Sequence, residues 1–87
     1  GTRFNADTEL PPSIFAGGWV LPDKLIVCIG NDSNLNPQVV TIPLPVSTVG
    51  QAKPLFGSDP GSLNLKSEQL SVAIKPMETL LFEIPRK

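Results

Sequence analysis

Short runs of alternating hydrophobic and polar residues, separated by prolines, dominate the sequence. Ten prolines in 87 residues interrupt the chain so often that few windows could hold even a short helix, because proline inside a helix removes a hydrogen bond and clashes with the preceding turn. Between the prolines, Val, Ile, Leu and Phe recur at every second position, which is typical of strands with one buried face. The pattern predicts an all-β protein of about seven strands.

The clearest predicted element is a hairpin whose arms are residues 13–21 and 24–30. The arms are joined by Pro22-Asp23, a pair that suits the two central positions of a type I turn. The second arm is apolar at both alternating sets of positions, Leu25, Val27 and Ile29 on one face and Ile26 and Cys28 on the other. A strand that is apolar on both faces is expected in the centre of a sheet.

Five further strands are predicted after this hairpin. The first covers residues 38–44, and its end is expected at a sheet edge or a bulge because Pro43 cannot donate a ladder hydrogen bond. A weaker strand covers residues 51–56. Three more alternating sets follow: Leu63 and Leu65; Leu70, Val72 and Ile74; and Leu80, Phe82 and Ile84. Strands that recur every roughly eight to twelve residues with hairpin-length loops indicate a small antiparallel two-sheet sandwich, with a small barrel as the alternative.

The length leaves room for one domain. Residues 1–12 have no periodicity and end in a double proline, so they are predicted to form a linker or an edge segment. Residues 13–87 are predicted to form the single β-sandwich domain. No signal-peptide pattern follows the first residue, Gly1, which leaves the cell compartment open.

Composition and charge exclude several classes of partner and chemistry. Apolar residues make up 40% of the chain and charged residues 17%, which favours a soluble folded domain over a disordered tail or a membrane span. The formal net charge is −1 and no basic cluster could neutralise several phosphates, so no nucleic-acid partner is expected. The chain has no His, no Tyr and one cysteine, Cys28. Since these residue types build most metal sites and nucleophile–base pairs, we expect neither a cofactor nor catalysis by this chain.

Three short motifs receive structural interpretations. The loop after the hairpin carries oxygen-bearing side chains that could ligate calcium: Asn31, Asp32, Ser33, Asn34 and Asn36. Only one of them is charged, which favours an ordinary polar turn. Gly17-Gly18 does not precede a helix, so a bulge or a sharp bend is predicted there instead of a phosphate-binding loop. Cys28 lies in an apolar run and is predicted to be a small buried hydrophobe.

Trp19 is the main candidate for ligand binding. An exposed indole offers a flat apolar face on which a sugar ring can stack, so Trp19 is a candidate carbohydrate-binding residue. The alternative is packing in the core or against a neighbouring domain, because sugar sites tend to use several aromatic residues and this chain has only four Phe besides. We expect Ile14, Phe15 and Val20 to join Trp19 in an apolar patch for interdomain packing.

Several pieces of the sequence occur in a recognisable order. An apolar strand ends in Asn and a short polar turn at residues 25–33, a second strand covers 39–44, and Leu-Phe-Gly-Ser follows at 55–58. The order closes with an apolar-x-apolar-x-Pro pattern and a further apolar strand at residues 72–82. In this order, residues 24–84 resemble the C-terminal β-sandwich that follows the catalytic barrel in many glycoside hydrolases, especially those of the alpha-amylase superfamily.

The resemblance implies a noncatalytic accessory domain that packs against a catalytic barrel and stabilises it. The implied partner is the catalytic domain of the same parent chain, and no catalytic residue carries over, because that family keeps its carboxylates in the barrel. The sequence departs from the pattern at Gly30, where a larger apolar residue is usual, and in the extra Pro43-Leu44-Pro45. Two alternatives stay open: a carbohydrate-binding module that uses Trp19, and an immunoglobulin-like or fibronectin-like interaction domain.

Overall fold

The computed structural model describes residues 1–6, 10–57, 64–66 and 68–87. Within these ranges the chain forms eight strands: β1 (Thr2–Asn5), β2 (Ile14–Val20), β3 (Lys24–Asn31), β4 (Gln38–Pro43), β5 (Lys53–Phe56), β6 (Asn64–Lys66), β7 (Gln69–Ile74) and β8 (Thr79–Pro85). The described residues contain no helix, and therefore no helix that could span a membrane. The all-β prediction is confirmed.

The eight strands form two sheets in which every pairing is antiparallel. One sheet has five strands in the order β1-β2-β3-β8-β5, and the other has three in the order β4-β7-β6. This confirms the predicted antiparallel two-sheet architecture. The segment for which the sequence predicts a linker or an edge segment contributes β1, which lies at the edge of the five-stranded sheet.

The predicted hairpin is present, with β2 and β3 as its arms. Leu21 N donates to Lys24 O at 2.9 Å across the turn that contains Pro22-Asp23. β3 is the middle strand of its sheet, because β2 pairs with one side of it and β8 with the other. The apolar character of both alternating sets in β3 therefore predicted its central position correctly.

One hydrophobic core lies between the two sheets. Each strand with a clear alternation sends every second side chain into this core, as the period of two requires. The buried members are Ile14, Ala16, Leu25, Val27, Ile29, Val40, Ile42, Leu44, Leu70, Val72, Ile74, Leu80, Phe82 and Ile84. Eight of them lie on β2, β3 and β8, and the other six lie on β4, on β7 and at the residue after β4, so the core joins both sheets.

One prediction about a local irregularity is corrected by the register. Gly17-Gly18 forms no bulge, because both glycines pair in unbroken register with β1 and β3. Gly18 instead allows the backbones of β2 and β3 to approach closely, since an ideal Cβ at Gly18 would lie 1.8 Å from Ile26 O. The register shift lies in β5, between Pro54 and Phe56.

The remaining predicted strands lie close to where the alternation places them. β4 ends at Pro43 and lies at the edge of the three-stranded sheet, as the proline predicted. The weaker predicted strand at residues 51–56 is observed as the shorter β5. For the strand predicted around Leu63 and Leu65, Leu63 lies outside the described residues and β6 covers Asn64–Lys66.

Candidate functional site

The outer face of the five-stranded sheet is the candidate functional surface. Residues paired across neighbouring strands point to the same side of a sheet, so the register defines rows of outward-pointing side chains. The first row contains Arg3, Trp19, Ile26, Glu83 and Lys53. The second contains Asn5, Gly17, Cys28, Leu81 and Phe56, and the third contains Phe15, Gly30 and Thr79. The middle of this face is apolar.

Two half-exposed aromatic side chains project from β2 on this face. Trp19 is 44% exposed and Phe15 is 41% exposed, and both lie on β2. They are four residues apart, which corresponds to about 13 Å along a strand. Gly17 lies between them and has no side chain, so a groove separates the two rings.

The groove has a volume of about 280 Å³ and runs across β1, β2 and β3. Its lining includes Arg3, Asn5, Phe15, Gly17, Trp19 and Cys28. Gly17 must stay small for two reasons: a side chain would fill the groove, and an ideal Cβ would already lie 2.8 Å from Phe4 O of the neighbouring strand. The glycine therefore forms both the groove floor and the close contact between β1 and β2.

The Phe15 ring covers a second glycine, Gly30, on the adjacent strand. The two residues are paired in register, and an ideal Cβ at Gly30 would lie 1.8 Å from Phe15 Cζ and 2.2 Å from Cε1. The ring thus occupies the space that a side chain at position 30 would need. This contact gives a local reason for the glycine at a position where the resemblance led us to expect a larger apolar residue.

Cys28 lies at the groove floor and is half-buried, which corrects the prediction of a buried hydrophobe. The physical reason is strand alternation: Val27 and Ile29 take the core side, so the thiol of Cys28 points outward. Burial raises the pKa of the Cys28 thiol above its ordinary value. The thiol therefore stays protonated at neutral pH and is a weak nucleophile.

The four-residue patch predicted around Trp19 is divided between the two faces of β2. Ile14 is buried in the core and Val20 is half-buried against it, whereas Phe15 and Trp19 are on the outer face. Side chains at successive positions of a strand point to opposite sides, so neighbours in sequence cannot form one patch there. This corrects the placement of Ile14 and Val20.

The outer-face residues that sequence reasoning missed come from other strands. Arg3 lies opposite Trp19 on β1, and Ile26 and Leu81 continue the apolar area onto β3 and β8. The sequence does indicate the outward position of Ile26 and Leu81, because the buried residues of β3 and β8 occupy the alternate positions and point to the core. Arg3 gave no such signal, since its segment showed no periodicity.

Charged residues occupy the far side of the face, on β3, β8 and β5. Lys24 Nζ lies 3.1 Å from Glu83 Oε2. The hydrogen bond to Glu83 and the charge of that carboxylate raise the pKa of Lys24. Lys53 is paired in register with Glu83, and Asp23 lies in the turn next to Lys24. At the opposite edge, the side chain of Arg3 makes no hydrogen bond or ion pair with the described part of the chain.

The polar loop after β3 is held together by Asn31. This side chain is 2% exposed, and its Nδ2 donates to Asn36 O at 3.0 Å and to Lys75 O at 3.3 Å. Its Oδ1 accepts from Ser33 N at 3.0 Å, which closes a turn of the kind that Asn side chains favour. The Asn31 oxygen is thus engaged in the turn, and the described residues contain no group of three or more His, Cys, Asp or Glu that could hold a metal.

The outer face of the three-stranded sheet has a different character. Thr41 and Ser71 are paired there, and their hydroxyl oxygens lie 3.0 Å apart in a hydrogen bond. The neighbouring cross-strand pairs are Val39 with Ala73 and Pro43 with Gln69. This face has small and polar side chains and no aromatic residue among those pairs, so the aromatic groove distinguishes the five-stranded sheet.

Comparison with known proteins found no similarity: no family model, no curated protein and no solved structure matches this chain.

Proposed function

We propose that this chain is a noncatalytic accessory domain of a carbohydrate-active enzyme, which packs against a catalytic domain through the outer face of its five-stranded sheet. The observation that supports the proposal most strongly is the half-exposed aromatic pair, Phe15 and Trp19, on a sheet face whose middle is apolar. Exposed apolar patches of this kind mark protein interaction sites more often than free surface. The carbohydrate-active parent rests on the resemblance of residues 24–84 alone, which is evidence at the level of fold and strand order.

The chemistry of the described residues agrees with an accessory role. The thiol of Cys28 has a raised pKa, and the acidic group on the outer face, Glu83, is paired with Lys24. An acid–base mechanism needs groups whose pKa values are set to exchange protons with a substrate near neutral pH. The Cys28 thiol does not meet this requirement, and the Glu83 carboxylate is engaged by the Lys24 ammonium group, so chemistry would come from the partner domain.

A second function has its own support in the groove beside Trp19. A sugar-binding module needs an aromatic platform with polar side chains at its rim. Arg3 and Asn5 line the same groove as Trp19. We therefore keep a carbohydrate-binding module as the alternative.

Isolation of the natural polypeptide tests the accessory-domain proposal. An antibody against this domain is used to probe and precipitate protein from the native source, and the precipitate is assayed for glycan hydrolysis on a starch-containing gel. We expect a band far larger than 9.3 kDa that coincides with glycan-degrading activity. A band near the mass of this chain, or a larger protein without such activity, would contradict the proposal.

The alternative is tested on the isolated chain with its single tryptophan as the reporter. Maltooligosaccharides are titrated while the emission of Trp19 is recorded, because stacking of a sugar ring on the indole changes its environment. A saturable change would favour the binding module. A flat titration would exclude these sugars as ligands of the groove.

A further inference from the structure

The lining and the charge of the groove between Trp19 and Phe15 indicate which kind of ligand it can bind. Its floor is Gly17 and the side of Cys28, and its two ends are aromatic rings. This lining is apolar except at the β1 edge. The following inference rests on the proposed packing of this face against a neighbouring domain.

A sugar ring fits this lining less well than an apolar side chain. A sugar presents hydroxyl groups around its edge, and each one that loses water without gaining a partner weakens binding. Among the groove side chains, Asn5 already has an interaction partner within the fold. Arg3 is the exposed charged hydrogen-bond donor at the rim. One guanidinium can satisfy one anionic or carbonyl group well, but it cannot satisfy a ring of hydroxyls.

The charge at this edge indicates what lies beside the apolar occupant. Within the described ranges, the acids near the outer face are Glu83 and Asp23, which lie at the β8 side and in the adjoining turn, where Glu83 pairs with Lys24. Arg3 is on the opposite edge strand, with β2 and β3 between it and β8. A guanidinium binds a carboxylate with two parallel hydrogen bonds, a geometry that arginine favours at interfaces.

We infer that the groove seats an apolar side chain of a neighbouring protein domain, between Trp19 and Phe15, while a carboxylate of the same segment pairs with Arg3. The apolar area around Ile26 and Leu81 extends the contact across the sheet, as a protein surface would require. The occupant is thus a protein segment that carries Asp or Glu next to a large apolar residue.

Site-directed photo-cross-linking tests this inference in the complete natural polypeptide that contains residues 1–87. Trp19 is replaced by p-benzoylphenylalanine, and the cross-linked peptide is identified by mass spectrometry. The matched control places the same residue at Val39, which is 77% exposed on the other sheet. The reaction is repeated with Arg3→Glu, with Arg3→Lys, and with Lys75→Glu as an equal charge reversal outside the face.

The expected product joins position 19 to a segment outside residues 1–87 that contains Asp or Glu beside the cross-linked residue. Arg3→Glu should reduce its yield by on the order of tenfold, while Arg3→Lys keeps part of the yield and Lys75→Glu keeps all of it. Melting of the isolated Arg3→Glu chain is recorded as well, since Arg3 is exposed and its reversal should leave the fold intact.

The other outcomes separate this inference from the proposed function. A cross-link within the same polypeptide that is insensitive to Arg3→Glu would overturn the inference and leave the accessory-domain proposal standing. A cross-link to a separate polypeptide that depends on Arg3 would support the carboxylate partner and contradict the accessory-domain proposal. A product that contains only glycan, or equal yields from positions 19 and 39, would overturn the inference.

Discussion

The ring of Phe15 on β2 lies over Gly30 on β3, in the space that a side chain at position 30 would occupy. The contact fixes the orientation of Phe15 on the outer face, and so defines one end of the groove. Aromatic side chains that cover a cross-strand glycine compensate for the packing that the glycine cannot supply. The glycine at position 30 therefore helps to determine the shape of the groove on the candidate interaction surface.

Gly30→Ala should destabilise the isolated chain by about 1–2 kcal/mol, because the new Cβ displaces the Phe15 ring from its contact. Urea denaturation measures the free energy of unfolding. In a Phe15→Ala background the ring is gone, so Gly30→Ala should cost less than about 0.5 kcal/mol or become stabilising. Equal costs in the two backgrounds would show that the ring does not occupy this space.

Asn31→Ala should lower the free energy of unfolding by about 2–3 kcal/mol. The change leaves Ser33 N and the carbonyls of Asn36 and Lys75 without the partners that Asn31 provides. Asn34→Ala is the matched control, since Asn34 is exposed in the same loop and should change stability by less than about 0.5 kcal/mol. Similar effects for the two variants would contradict the role assigned to Asn31.

Val27→Ala and Leu80→Ala should each cost about 2–4 kcal/mol, because both side chains are buried where the two sheets meet. Val39→Ala removes the same atoms as Val27→Ala from a side chain that is 77% exposed. Its effect should stay within about 0.5 kcal/mol. Losses below about 0.5 kcal/mol at both core positions would refute the assignment of the central strands.

The Lys24–Glu83 pair should contribute stability that depends on pH. Its hydrogen bond and charge raise the pKa of Lys24 above the ordinary value of 10.5, so the folded state binds this proton more tightly than the unfolded chain. The contribution is therefore complete below pH 10.5 and decreases as pH rises through the raised value. Urea denaturation of the wild type and Glu83→Gln should show a difference that is constant near neutral pH and shrinks in this alkaline range. A difference that grows with pH would contradict the assignment.

The alternation of hydrophobic residues predicted the fold class because burial of one strand face depends on a period of two. Leu25, Val27 and Ile29 identify the core side of β3 directly. The same rule places Ile14 on the core side of β2 and Phe15 on the outer side, so the predicted apolar patch, which combined neighbours in sequence, was wrong for Ile14.

The groove itself could not be predicted from the sequence. It depends on the register between β1 and β2, which brings Arg3 opposite Trp19, and residues 1–12 carry no pattern that specifies this pairing. The role of Asn31 also depends on contacts between distant segments, such as its bond to Lys75 O. Long-range pairings of this kind follow from the assembled fold and leave no local signal.

Alkylation of Cys28 by a maleimide tests the central inference that the outer face of the five-stranded sheet is covered by another protein domain. Cys28 is the single cysteine of the chain and lies half-buried in the groove. Its labelling is followed by peptide mapping in the isolated chain and in the complete natural polypeptide, under identical conditions near neutral pH. We expect steady labelling in the isolated chain and labelling slower by on the order of tenfold or more in the natural polypeptide, because a docked domain blocks the groove. Equal rates in the two proteins would show that this face stays open to solvent and would contradict the inference.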